Sequence, residues 1–293
     1  MKTIAKKVRN EIIRKLYRLP VVSNPAALAY QTAIIHHINQ LPVISANDLN
    51  LINTLQQEGI VTTSLAELSI PSTPEMLQSA QKLLPKISNT LPTSKDEFTI
   101  HATSEQIIEH SEIFMWGLQQ RLLNIVENYL GLPVAYHGAY FRRDIISPVQ
   151  KKSRLWHLDK EDRKMFKVIV YLNDVNEDSG PFQYIPKLFT SSIAESLRYD
   201  DNYITDEIMQ QVISSANWKS CTGIAGTVVF ADTANIFHKG KLPVSSERFS
   251  IFFDYTSRTP KHPFYCKSSL AEKDLFTISK NLSENQKQYI FWR

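Results

Sequence analysis

Only two cysteines, Cys221 and Cys266, occur among 293 residues. Neither has a partner at metal-ligand spacing, which argues against a thiolate zinc site and against a disulfide framework and fits a reducing compartment. No stretch approaches the ~20 apolar residues that span a bilayer. The charged start, with no uninterrupted apolar run behind it, lacks the form of a secretory signal, so the expected location is the cytoplasm. No repeat or low-complexity run stands out. A basic face of the nucleic-acid-binding kind is missing too. The net charge of +4 divides into +6 within residues 1–20, where seven Lys/Arg oppose Glu11, and therefore −2 over the rest. Positive charge gathered at one end makes a basic arm and not a nucleic-acid surface.

What is present is enough apolar material for a large core: 43% hydrophobic and 21% charged residues, the balance of a soluble globular domain. The basic arm carries Ile4, Val8, Ile12 and Leu16 at four-residue steps, the pattern of an amphipathic helix ending near Pro20. The expectation is that this helix packs its apolar side on the domain with its lysines in water. The alternative is weak peripheral contact of residues 1–19 with anionic lipid. Further helices are expected near 24–40, 46–58 and 73–84. The clearest is 104–130, opened by a Thr103/Gln106 capping box and closed by "GLP".

From residue 133 the period changes. "PVAYHGAYFRRDI", "KMFKVIVYLNDV", "GPFQYIP", "GTVVFAD" and "ERFSIFFDYTSR" are short, β-branched and aromatic-rich, with turn residues at their ends. The predicted fold is mainly β with helical additions: a double-stranded β-helix (jelly-roll, cupin-like) core with an α-helical N-terminal region packed on it. The chain divides as a helical extension over 1–100, the core over 101–260 with a lid-like insert at 186–226, and a C-terminal segment over 261–293.

"RLWHLDKED", with a strand expected around 154–157, puts His157 and Asp159 two positions apart on the same side of that strand. His238, in "FADTANIFHKGKLP", supplies a third ligand from a distant strand. Two histidines and one carboxylate on one face of an ion form the facial triad of non-haem Fe(II) oxygenases, whose open positions take a co-substrate and O2. Ten residues past His238 stands Arg248, with Ser250 two further on. A guanidinium and a hydroxyl on the same side of a strand suit a carboxylate, and the expected co-substrate is 2-oxoglutarate.

The order H-x-D, a strand, "SGPFQYIP", "GTVVFADTANIFH" and an arginine ten on resembles the phytanoyl-CoA dioxygenase family of Fe(II)/2-oxoglutarate oxygenases, over roughly residues 133–258. The resemblance implies His157, Asp159 and His238 as iron ligands and Arg248 as the 2-oxoglutarate anchor, assisted by Ser250 and Tyr171. Asp159 stands where related halogenases have a small residue, which favours hydroxylation of a small organic molecule: lipid-like, amino-acid-derived or a secondary metabolite. Desaturation, cyclisation and epimerisation stay open. Tyr136, Tyr140 and Arg142 are the expected substrate contacts, with Arg143 turned to solvent; the alternative is that both arginines form surface ion pairs with Asp144 and its neighbours. The rival readings are a barrel that binds metal and 2-oxoglutarate without turnover, as a sensor or structural module, and a membrane-peripheral adaptor acting through its basic helix.

Overall fold

The computed structural model describes residues 2–292, with side chains from Val8 onward. Met1, Arg293 and the side chains of Lys2, Ile4, Lys6 and Lys7 lie outside the described part. Nine strands are present among the described residues: β1 (Ile60–Ser64), β2 (Thr99–His101), β3 (Val134–Asp144), β4 (Phe166–Tyr171), β5 (Phe182–Tyr184), β6 (Lys219–Cys221), β7 (Thr227–Asp232), β8 (His238–Gly240) and β9 (Arg248–Ser257). Six form an antiparallel sheet in the order β1-β7-β4-β9-β3-β2, and three form a second in the order β6-β5-β8. The fold is the expected jelly roll with helical additions.

Alternation along the strands explains why the large sheet has two different faces. Phe166, Val168 and Val170 of β4, Val228 and Phe230 of β7, and Ile251, Phe253 and Tyr255 of β9 join one apolar cluster with the helices. Helices Ser111–Trp116 and Gln120–Leu130 cover this face: Trp116 meets Phe253 at 4.9 Å between ring centres and Tyr129 meets Phe166 at 5.4 Å. On the other face Ile169, Tyr171, Val229, Ala231 and Phe252 meet Phe182 and Cys221 of the small sheet. Polar residues enter this inner face along β3, β4 and β9, with Lys167 beside Asp254 toward one end and Arg248 beside Asp144 toward the other.

Several expectations are corrected. The helix expected over 104–130 is three helices, Ser104–Glu109, Ser111–Trp116 and Gln120–Leu130. The capping box at Thr103 and the left-handed Gly131 stop are both present, but His110 leaves helical geometry between the first two. The N-terminal region is not purely helical, because β1 pairs with β7 as the sheet's edge strand. The insert holds helices Thr190–Ser196 and Asp206–Gln210, packed on Trp156 and Phe237 around a small core of their own. The C-terminal tail docks, with Tyr289 and Ile290 buried.

The basic helix, Lys2–Tyr17, sits the other way round from the expectation. Asn10 and Arg14 are buried against the body, whereas Val8, Ile12 and Leu16 are exposed. Ion pairs decide the orientation, since Arg14 reaches Asp200 at 3.0 Å and Asp201 at 2.6 Å. No helix among the described residues is long and apolar enough to cross a membrane.

Candidate metal centre

His157 and His238 face each other as an antiparallel bridge, each backbone N–H donating to the other's carbonyl at 3.1 Å. A directly opposed pair brings side chains together on one side, and the two imidazole centres lie 4.2 Å apart. Asp159 follows two residues later, held by its N–H to the Thr233 carbonyl at 2.9 Å. One ligand atom from each of His157, Asp159 and His238 lies within 4.8 Å of the others. Residues 154–157 do not form the strand expected there, but the bridge at His157 brings the His157/Asp159 pair beside His238, which lies 79 residues after Asp159.

Each imidazole is held in one tautomer. His157 Nδ1 lies 2.8 Å from the Leu155 carbonyl and His238 Nδ1 3.1 Å from that of Ile236. A carbonyl only accepts, so Nδ1 must carry the proton and Nε2 keeps its lone pair. Burial pushes the pKa of His238 down to about 3, helped by His157, and lowers that of His157 too. Both rings are therefore neutral donors at physiological pH.

Asp159 is the charged member. Burial opposes its ionisation, but Lys167, with His238 and His157, holds the carboxyl well below the usual range. Lys167 Nζ lies 2.7 Å from Asp159 Oδ2, while Oδ1 lies 3.7 Å from His157 Nε2. One oxygen meets the lysine and the other faces the histidines. Lys167 also approaches Asp254 of β9 at 3.9 Å, its register partner across the sheet.

The far end of the same inner face is an arginine cluster. Arg248 is fully buried and donates through Nε and Nη2 to Asp144 Oδ2, at 3.1 and 2.7 Å. Arg142 holds the same carboxylate, with Nε 3.0 Å from Oδ2. Burial would raise Asp144, but the two arginines outweigh it and depress its pKa. Two guanidinium groups against one carboxylate leave one positive charge over. Among the described residues Arg248 Nη1 and Ser250 Oγ are buried without a hydrogen-bond partner. Tyr171, opposite Ser250 in register, donates to the Cys221 carbonyl at 2.7 Å. A cavity of about 160 Å³ touches His157, His238, Lys167, Arg142 and Arg248 together. A larger one of about 460 Å³, lined by Glu161 and Tyr265 among others, shares Tyr140 and Asp254 with it.

Of the expected substrate contacts, Tyr140 and Arg142 line the cavity and Tyr136 does not. Tyr136 is buried in the helix-covered core, its hydroxyl donating to the Phe114 carbonyl at 3.0 Å. The cause is a β-bulge between Tyr136 and Gly138. One extra residue reverses the alternation, so positions four apart point to opposite faces. Gly138 takes φ of +108°, and a Cβ there would lie 2.0 Å from Ser269 Oγ. Arg143 does not face solvent as expected: it is partly buried, bridged to Glu247 and donating to the Ser88 carbonyl at 2.6 Å.

Asp144, Lys167 and Asp254 were missed from the sequence. Lys167 had a signal, being the lone charge in "FKVIVYL", in phase with Tyr171 and so on the inner face. Asp144 had none, since a carboxylate ending "YFRRD" looks like a surface partner for its neighbours.

No protein-family model matches this chain, and no curated protein sequence matches it. Solved structures do. They include the non-haem α-ketoglutarate-dependent epimerase SnoN from nogalamycin biosynthesis, at 13% identity over 73% of this chain and 84% of that chain, with a TM-score of 0.47. HygX from Streptomyces hygroscopicus, with nickel and 2-oxoglutarate bound, is 14% identical over 73% of this chain and 88% of that chain, with a TM-score of 0.49. EctD from S. alaskensis with bound Fe is 19% identical over 75% and 80%, with a TM-score of 0.49. At such identities and scores, no property of those proteins transfers to this chain.

Proposed function

We propose that the protein is an Fe(II)- and 2-oxoglutarate-dependent oxygenase acting on a small organic molecule, with hydroxylation as its reaction, in the manner of the phytanoyl-CoA dioxygenase family. One observation carries the reading: two neutral imidazoles, each with Nε2 left free by a carbonyl on Nδ1, converge with one ionised carboxylate. That donor set suits a borderline divalent metal and leaves part of the coordination sphere open. The orphaned Arg248 Nη1 and Ser250 Oγ support a carboxylate ligand at the other end of the cavity.

In this reading His157, Asp159 and His238 hold the iron, and Lys167 fixes Asp159 so that one oxygen is presented. Arg248 and Ser250 receive the distal carboxylate of 2-oxoglutarate. Asp144 tempers Arg248 by occupying two of its nitrogens, leaving the third for the ligand. Iron with 2-oxoglutarate and O2 supplies the oxidising power, and 2-oxoglutarate leaves as succinate and carbon dioxide. Tyr140 and Phe252 wall the cavity against water, and the larger cavity beyond Tyr140 is the expected substrate space.

Anaerobic addition of Fe(II) and 2-oxoglutarate tests the reading. The wild type is expected to develop the visible metal-to-ligand charge-transfer band, Asp159→Ala to lack it, and Arg248→Ala to need far more 2-oxoglutarate. A wild type that never develops the band sinks the proposal. The second reading is a barrel that binds both ligands without turnover. Release of succinate in air rejects that second reading.

A further inference from the structure

The basic N-terminal helix is inside out for a helix packed on a globular body. Such helices normally turn their apolar stripe inward. Here the buried residues are Asn10, donating to the Phe264 carbonyl at 3.3 Å, and Arg14, 4% exposed and paired with Glu11, Asp200 and Asp201. The Tyr17 ring lies beside them against His262 and Phe264. Val8, Ile12, Leu16 and Leu19 lie outward, each about half exposed. At about 100° per residue Val8, Ile12 and Leu16 fall within one narrow sector centred on Ile12, and Leu19 follows in the extended link beyond the helix. Arg9 and Lys15, both exposed, flank that sector on either side.

The next helix, Pro20–His37, buries none of its residues. Val21, Leu28 and Ile35 recur every seven positions along one side of it, at 77%, 70% and 67% exposure. Two successive helices thus leave an apolar stripe in solvent, although Tyr17 of the first and Tyr30 and Ile34 of the second turn partly toward the body.

We infer that the outward face of residues 8–19 docks on an anionic lipid surface. Charge selects this occupant. Residues 1–20 carry +6, and the cations beside the stripe have stems that lie along apolar surface with the charge in the headgroup layer. Arg14 and Arg18 are already matched by Asp200 and Asp201, so Arg9 and Lys15 are the cations presented outward. This inference does not depend on the chemistry proposed for the barrel.

The test is co-sedimentation of the full chain with vesicles of phosphatidylcholine alone or mixed with phosphatidylserine, together with light scattering in solution. The wild type is expected to pellet with the mixed vesicles and to be released as salt rises. Ile12→Glu with Leu16→Glu, both at exposed positions, should lower partitioning by at least about tenfold. Arg9→Glu with Lys15→Glu should lower it by a similar factor on the anionic vesicles alone. Circular dichroism confirms that both variants stay folded. A wild type left in the supernatant, or glutamate variants that pellet as well as wild type, overturns the inference. So does a dimer that Ile12→Glu with Leu16→Glu converts to monomer without vesicle binding, since a second copy then covers the face.

Discussion

The two faces of the large sheet are built from the same strands and do opposite work. Along β9, Ile251, Phe253 and Tyr255 point to the helices, while Arg248, Ser250, Phe252 and Asp254 point to the small sheet. The first set is apolar and closed over by helices. The second ends in two ion-paired clusters, one around Asp144 and one around Asp159. The difference teaches where stability and chemistry reside. Removing apolar surface on one side should unfold the chain, and removing charge on the other should empty a site within a folded one.

The comparison breaks if mutations on the two sides cost the same thing. The largest effect is expected from Phe230→Ala on the helix face, which leaves a cavity and should cost about 3–5 kcal/mol of unfolding free energy in urea titration. Asp144→Asn is the exception that sharpens the contrast, because it lies on the inner face yet should cost about 3 kcal/mol by leaving the buried Arg248 and the partly buried Arg142 without an anion. Its pH signature follows from the depressed pKa. Asp144 contributes stability above the unfolded carboxylate value, and that contribution is lost as pH falls through the lower folded value. The wild type should therefore weaken below about pH 4, and Asp144→Asn should show a flatter acid limb in thermal melts at each pH.

Asp159→Ala should lower Fe(II) affinity by at least about a hundredfold, since losing even a supporting partner of a metal ligand costs 10–100-fold. Calorimetric titration measures this, and urea unfolding without metal should fall by less than for Phe230→Ala. The smallest effect is expected from Gly138→Ala, about 1–3 kcal/mol from a left-handed backbone, increased if Ser269 does not give way. A Gly138→Ala protein as stable as wild type would show that the bulge is not under constraint.

How much of this was legible depends on how local the cause is. The five predicted strands, the capping box at Thr103 and the spacing of His157, Asp159, His238 and Arg248 are written in short windows with fixed periods. They stand in the structure at those positions. Tyr136 was misplaced because a single inserted residue, His137, flips every inference made from alternation, and nothing in "AYHGAY" demands a bulge. β1 was overlooked because "IVTTS" is a short polar edge strand whose partner lies far along the chain. The orientation of the first helix was misjudged for a similar reason. Its amphipathic pattern is real, but which side meets the body is set by Asp200 and Asp201, which are remote in sequence.

The mutual backbone pairing of His157 with His238 joins the segment before β4 to the small sheet. An ion gripped by both rings would therefore act as a rivet across the seam of the barrel, and its binding free energy would be counted in resistance to unfolding. Chelation would then do more than switch off chemistry: it would loosen the joint, and melting temperature would become a gauge of metal supply.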